Sequence, residues 1–483
     1  MGSRPGKLSR VWSGGSVSTL LTAGDIEAEQ YRVVLTAHPL QRVGAFALVA
    51  LAKAESVDDL HGAVFQDAVA VAESDAVRAA CAGKGSENGR GWWHGVISNG
   101  FFPNSPLHYA SRWSDSQTED EVHNWRRLPP APQWPEAPCV LCGRQAVGFY
   151  GKRDVPLGES TLYRNTTPPG HEGIALCYPC LCCFHALPYG CVLAGGPAAA
   201  VHSWDDRMLL HLVEGQVQEN RRLIGLGEKP AKAEKYQREL TALNGLRNYP
   251  REPSGVELIV FSNSNRDAIL DIHAMEQPLA AWLRQVRRHT WTVLCRAHRN
   301  SQISDGERVL ARSAFVSPDR IAITAIDWLV RVPGGRMTEA ATVMQVCRSY
   351  AEQVIGMSEK DIEEIESLGA RIATLVIESK KSKPLMDFFV QYRKEGRDLR
   401  RWLERHAIDW AANQPTDGPL LTMGSSRALF DAGVRTPLNR HLLLVAVLAE
   451  LHQRGWAPQL TDEDKKELAD AMRRDSDSEE GDE

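Results

Sequence analysis

Apolar positions along the chain change period twice. β-Branched and apolar residues over 31–36, in "YRVVLT", predict a short strand, and the alanine-rich stretch after His38-Pro39 predicts a helix. Ser56 and the acids after it read as the start of another helix. From about 85 to 137 Gly, Pro, Asn and Trp dominate, which predicts long loops with aromatic anchors. Two apolar runs, 256–261 and 268–273, then predict a pair of strands joined through Asn263, Ser264 and Asn265. From Glu307 strand signals fade, "PGGRM" punctuates the chain at 333–337, and 337–456 reads as helices broken near Pro384, at "NQPTDGP" and at "VRTP".

This pattern predicts an α+β protein in which a mixed α/β N-terminal body with an inserted four-cysteine zinc site is followed by a C-terminal helical bundle. Residues 1–28 are Gly/Ser-rich and expected to be flexible, 29–332 form the body with the zinc site at about 138–192, 333–460 form the bundle, and 461–483 give a short helix and an acidic disordered tail. At 483 residues the chain has length for several cores, so a metal is not needed to fold the whole of it.

The formal charge of −5 is misleading, because the last nine residues, "DSDSEEGDE", hold six acids and no base and leave residues 1–474 one unit positive. A nucleic-acid surface would therefore have to be a local patch. The longest apolar run, "HLLLVAVLA" at 441–449, is half the ~18 residues that span a bilayer, and "MGSRPG" fits neither a signal peptide nor the myristoylation pattern. A soluble, cytoplasmic protein without a membrane partner is expected, with its ten cysteines reduced or bound to metal.

Two of those cysteines stand in "CVLCG", residues 139–143, and after 34 intervening residues two more open "CYPCLCCFHALPYGC". Each C-x-x-C turn places two sulfurs on one side of an ion, and two such turns complete a tetrahedron. Cys139, Cys142, Cys177 and Cys180 are thus the predicted ligands of a structural Zn2+, with Gly143 permitting the tight turn. Cys182, Cys183, Cys191 and His185 fall on the expected helix after the second turn, as core packing or substitute ligands. A catalytic zinc is disfavoured. "PCVLC" resembles half of a deaminase signature, yet no upstream histidine is followed two residues later by Glu, and no H-E-x-x-H, Walker loop or G-x-S-x-G occurs.

Five stretches taken together, "LTAHPLQRVGAFAL", "FFPNSPLHY", "CVLCGRQAV" with "KRDVPLG", "ALCYPCLCCFHALPYG" and "VELIVFSNSNRD", resemble the large subunit of type I-B CRISPR Cascade effector complexes. Their order carries the resemblance, which covers about residues 31–275. Two positions depart from the family pattern, Ala37 and Asn265, where glycine is usual.

The resemblance implies a nuclease-free, non-catalytic subunit of an RNA-guided antiviral complex. Such a subunit inspects the protospacer-adjacent motif in duplex DNA, aids duplex opening and presents the displaced strand to a recruited helicase-nuclease. The implied partners are guide RNA, target DNA, the Cascade backbone subunits and that helicase-nuclease. The alternatives are a zinc-dependent nucleic-acid-processing enzyme and a stand-alone zinc-ribbon DNA-binding regulator.

Residues suited to motif reading are Asn99, Phe101, Phe102, Asn104 and Ser105 in "SNGFFPNSP", with Asn263 and Asn265 as a second set. Asparagines also cap turns and phenylalanines fill cores. For phosphate contact the sequence offers Arg284, Arg287, Arg288, Arg296 and Arg299, then Lys380, Lys381 and Lys383. Arg393, Arg397, Arg401 and Arg405 recur every four residues, as one ridge on a helix or as the salt-bridged face of one.

Overall fold

The computed structural model of the chain describes residues 30–82, 92–158, 173–194, 196–227, 234–264, 268–330, 337–379, 383–393, 396–413, 418–431 and 436–456. The protein is mixed α+β with small sheets, and 66% of the described residues are helical. Its organising element is a four-stranded antiparallel sheet in the order β3 (Cys191–Val192), β4 (Ala198–His202), β5 (Val256–Asn263), β6 (Ala268–Met275). Alternation along β5 sorts its side chains between two cores. Ile259 and Phe261 join the core of the N-terminal body, while Val256 and Leu258 join the core shared with the later helices. Cross-strand partners Ala200, Ile259 and Ile272 lie in register, so each sheet face is continuous.

On the N-terminal side the central packing element is the helix Pro39–Ala52, started by proline at its first position and by the His38 side chain, which accepts from Gln41 N–H. Its neighbour is the helix Tyr178–Ala186. They approach so closely that a Cβ on Gly44 would sit 1.8 Å from the Cys183 carbonyl oxygen, which only glycine avoids. The helix Asp206–Leu226 spans both layers, with Leu209 and Val213 in one core and Met208 and Leu212 in the other.

Helices from Gln277–Gln285 to Thr436–Gln453 build the other side. Their apolar core runs unbroken across residue 333. Trp282 donates its indole N–H to Ser349 at 3.0 Å, and the Tyr350 hydroxyl donates to the Pro318 carbonyl at 2.8 Å. Among the described residues no helix is long and apolar enough to cross a membrane.

Three predicted elements differ. The expected strand at 31–36 is extended chain with a single bridge, Arg32 to His61, because His38-Pro39 turns the chain before a ladder can form. The stretch expected to be loop holds the helices Trp92–Val96, Pro106–Tyr109 and Asp115–Arg126 and a π-helical turn, Ile97–Phe101. The longest buries Thr118, Val122 and Arg126, too little to show as a hydrophobic period. Its start was marked by Ser114, whose hydroxyl accepts from Gln117 N–H at 3.1 Å. Cys191, expected on a helix, lies in β3.

Candidate metal centre and the loops around it

The first cysteine pair forms a tight knuckle. Gly143 N–H donates to the Cys139 carbonyl at 2.8 Å, Cys139 N–H to the Arg144 carbonyl at 2.6 Å, and Gly143 takes φ 75°, the left-handed conformation the turn needs. The second pair stands at a helix start. Cys177 caps the helix Tyr178–Ala186 in extended conformation and Cys180 follows on the same face three residues later. A two-stranded ribbon, β1 (Gly148–Tyr150) against β2 (Ile174–Leu176), brings the pairs together, helped by Val140 N–H donating to the Ala175 carbonyl at 3.0 Å.

The four sulfurs all lie within 4.8 Å of one another, and those of Cys142 and Cys177 are 3.5 Å apart. A zinc with bonds of ~2.3 Å sets tetrahedral sulfur–sulfur edges of about 3.8 Å, so the sulfur set fits a tetrathiolate ion. Cys139, Cys177 and Cys180 are buried and Cys142 is half-buried. Hydrogen bonds from Cys139, Cys177 and Cys180 push the Cys142 thiol far below its usual range, whereas bonds to Cys139, Cys142 and Cys177 push Cys180 far above it. The helix N-terminus at the second knuckle favours negative charge on its sulfurs.

Arg144 was not singled out by sequence, although its place two residues after Cys142 was visible. Its Nε lies 3.4 Å from the Cys142 sulfur and one Nη 3.7 Å from that of Cys177, while the other Nη donates to the Arg32 carbonyl at 2.7 Å. Burial lowers its pKa, but the bond to Cys142 and the charges of Cys177, Cys142 and Cys180 outweigh burial, and the net shift is upward.

Cys182, Cys183, Cys191 and His185 stay outside the sulfur cluster. Cys183 accepts from the Gln41 amide at 3.5 Å, and burial pushes the Cys182 thiol up to about 12. His185 is packed against Trp125 and Phe102, with ring centroids at 4.9 and 5.8 Å, and burial drives its pKa well down. All four are packing residues.

The motif-reading candidates divide. Phe101, Phe102 and Ser105 are fully buried, with Phe101 against Phe261 at 5.3 Å and Phe102 against Trp125 at 5.6 Å, so none faces a base. Asn263 is also buried. Its amide donates to the carbonyls of Phe101 at 2.6 Å and Lys152 at 2.9 Å, and its oxygen accepts from Leu157 N–H at 3.1 Å. It pins three segments and is spent on them. Asn99 is exposed, its amide on the Gly95 carbonyl at 2.9 Å, and Asn104 is half-buried at φ 66°. Asn265 lies outside the described residues.

The basic candidates divide as well. Arg284 donates to the carbonyls of Tyr249 at 2.8 Å and Pro250 at 3.0 Å, a structural task, while Arg287, Arg288 and Arg299 are exposed. Arg296 pairs with Glu339 at 3.1 Å. The single arginine ridge does not hold. Phe388 and Trp402 have ring centroids 5.4 Å apart, whereas one continuous helix would separate residues fourteen apart by about 21 Å. The segment therefore folds back as two helices, Lys383–Arg393 and Gly396–Asn413. Arg401 is 75% exposed and 3.9 Å from Asp398, and Arg405 is exposed. Lys380 and Lys381 lie outside the described residues, as do the side chains of Arg393 and Arg397.

Compared with known proteins, the chain matches no family model, no curated protein and no solved structure.

Proposed function

We propose that the protein is a non-catalytic large subunit of an RNA-guided, DNA-targeting complex of the type I-B Cascade kind, with one structural zinc ion held by Cys139, Cys142, Cys177 and Cys180. The observation that carries the reading is convergence. The stretches that resemble that family are far apart in sequence, yet they bond to one another. Gln41 of "LTAHPLQRV" reaches Cys183 of "CLCCFH", and Asn263 of "VFSNSN" holds Phe101 of "FFPNSP" together with Lys152 and Leu157 of "KRDVPLG". Lys152 returns the contact through the Ser264 carbonyl at 2.9 Å.

In this reading exposed Asn99 and half-buried Asn104 address the short motif in duplex DNA, and the exposed Arg287, Arg288, Arg401 and Arg405 contact phosphates. Base pairing with the guide RNA reads the long sequence. Four sulfurs leave a zinc no open position for substrate, which supports a structural ion over the alternative of a zinc-dependent nucleic-acid enzyme. The helix beside the second knuckle is buried along Tyr178–Ala186, which disfavours a stand-alone zinc-ribbon regulator reading DNA with it.

The test compares the assembled complex on a target duplex carrying the adjacent motif with the same target lacking it, in magnesium without the helicase-nuclease. Motif-dependent binding with both strands intact is expected. Equal binding to both targets, or strand cleavage by this chain alone, would overturn the reading.

A further inference from the structure

The segment that opens the described chain is held from two sides. On one, Gly62 N–H donates to the Tyr31 carbonyl at 2.9 Å and Val33 N–H to the Leu60 carbonyl at 3.0 Å, around the Arg32–His61 bridge. On the other stands the first cysteine knuckle, through Arg144 to the Arg32 carbonyl at 2.7 Å and through the Gln30 amide to the Gln145 carbonyl at 3.5 Å. The Arg144 guanidinium that donates to the Arg32 carbonyl is the same one that lies against the sulfurs of Cys142 and Cys177, one from each knuckle. Three targets share one rigid planar fork.

We propose that Arg144 is the outer-shell positioning residue of the metal centre and that it couples metal occupancy to the seating of residues 30–33. The inference rests on the zinc reading above. A divalent ion with four thiolates carries two net negative charges, and a half-buried site needs a cation beside it. Arg144 supplies one charge and bonds sulfurs of both pairs, so it favours the closed arrangement in which the pairs meet. Its other terminal nitrogen then donates to the Arg32 carbonyl. A lysine could supply the charge but not the fork. With the metal gone the sulfurs have no common centre, the guanidinium loses its two anchors, and the Arg32 contact weakens with it. By linkage, whatever seats residues 30–33 must raise metal affinity by the same factor.

The experiment uses the full chain as wild type, Arg144→Leu and Arg144→Lys. Metal affinity is read by competition with a chromophoric chelator, the ligand set by the absorption spectrum of the cobalt-substituted protein, and the segment by hydrogen exchange of peptides covering 30–36 and 58–64. Arg144→Leu should keep a four-sulfur cobalt spectrum shifted from wild type, lose about 10- to 100-fold in affinity and exchange faster at both peptides with metal bound. Arg144→Lys should recover part of the affinity but not the protection. Chelation of wild type should raise exchange at the same peptides. Unchanged affinity and exchange in metal-loaded Arg144→Leu overturn the proposal, as does a variant whose exchange rises throughout the chain rather than at these peptides. A wild type that takes up no metal overturns the zinc reading itself, and the clamp with it.

Discussion

The Asn263 side chain donates to the backbone carbonyl of Phe101 at 2.6 Å across 162 positions of sequence. This bond ties the last strand pair to the segment that carries Asn99 and Asn104, while the same side chain donates to the Lys152 carbonyl and accepts from Leu157 N–H. Removing the side chain would take a partner from two buried carbonyls and from the half-buried Leu157 N–H. Asn263→Ala is therefore expected to destabilise the protein by about 3 kcal/mol, read by chemical denaturation. A loss below about 1 kcal/mol would show that the loop is held by other contacts.

Metal retention separates the two classes of cysteine. Cys177→Ser should abolish the uptake of one zinc per chain and make the region between 138 and 192 sensitive to protease, since the folding of that region is linked to the ion. Cys183→Ser, whose residue sits outside the sulfur cluster, should keep the metal. Elemental analysis of both proteins decides it, and equal metal content in the two would refute the ligand set.

Asn104 occupies the left-handed region at φ 66°, so its backbone and its side chain must be tested apart. Asn104→Gly keeps the turn and deletes the amide. The assembled complex carrying it is expected to bind a closed target duplex about 1–3 kcal/mol more weakly while binding a pre-opened target as before. Equal losses on both substrates would remove Asn104 as a motif reader.

Acid sensitivity should trace in part to His298. Burial lowers its pKa to about 4, opposed by the bond to the Leu294 carbonyl at 2.9 Å, and its other ring nitrogen is buried without a partner. The folded state disfavours the protonated ring, so its contribution is fully present above the unfolded value of 6.5 and is lost as pH falls through 4. Against a total on the order of 3 kcal/mol from this group, His298→Leu should flatten the stability profile between those pH values. An unchanged slope would assign the acid sensitivity elsewhere.

The four-cysteine cluster was legible in the sequence because its signal is local, two fixed spacings whose chemistry allows few other readings. The strand pair 256–261 and 268–273 was legible for the same reason and needed only small extension to Val256–Asn263 and Ala268–Met275. Roles that depend on burial were not. Phe102 and Asn263 have the composition of a base-reading loop, and only the packing of Phe102 on Trp125 and the three bonds of Asn263 place them inside. The arginine spacing implied a single helix because a period cannot register a reversal of direction. The packing of Phe388 on Trp402 registers it. The bonds from Trp282 to Ser349 and from Tyr350 to Pro318 cross the "PGGRM" stretch, and a local turn signal carries no record of such contacts.

The central claim, that this chain works as one subunit of an RNA-guided complex, is tested most directly by purifying it from its native cells under mild salt and identifying what comes with it. The account predicts a complex of fixed stoichiometry holding a short RNA of defined length with a repeat-derived end and several copies of a backbone subunit. A chain recovered alone, zinc-loaded and free of RNA, would contradict it.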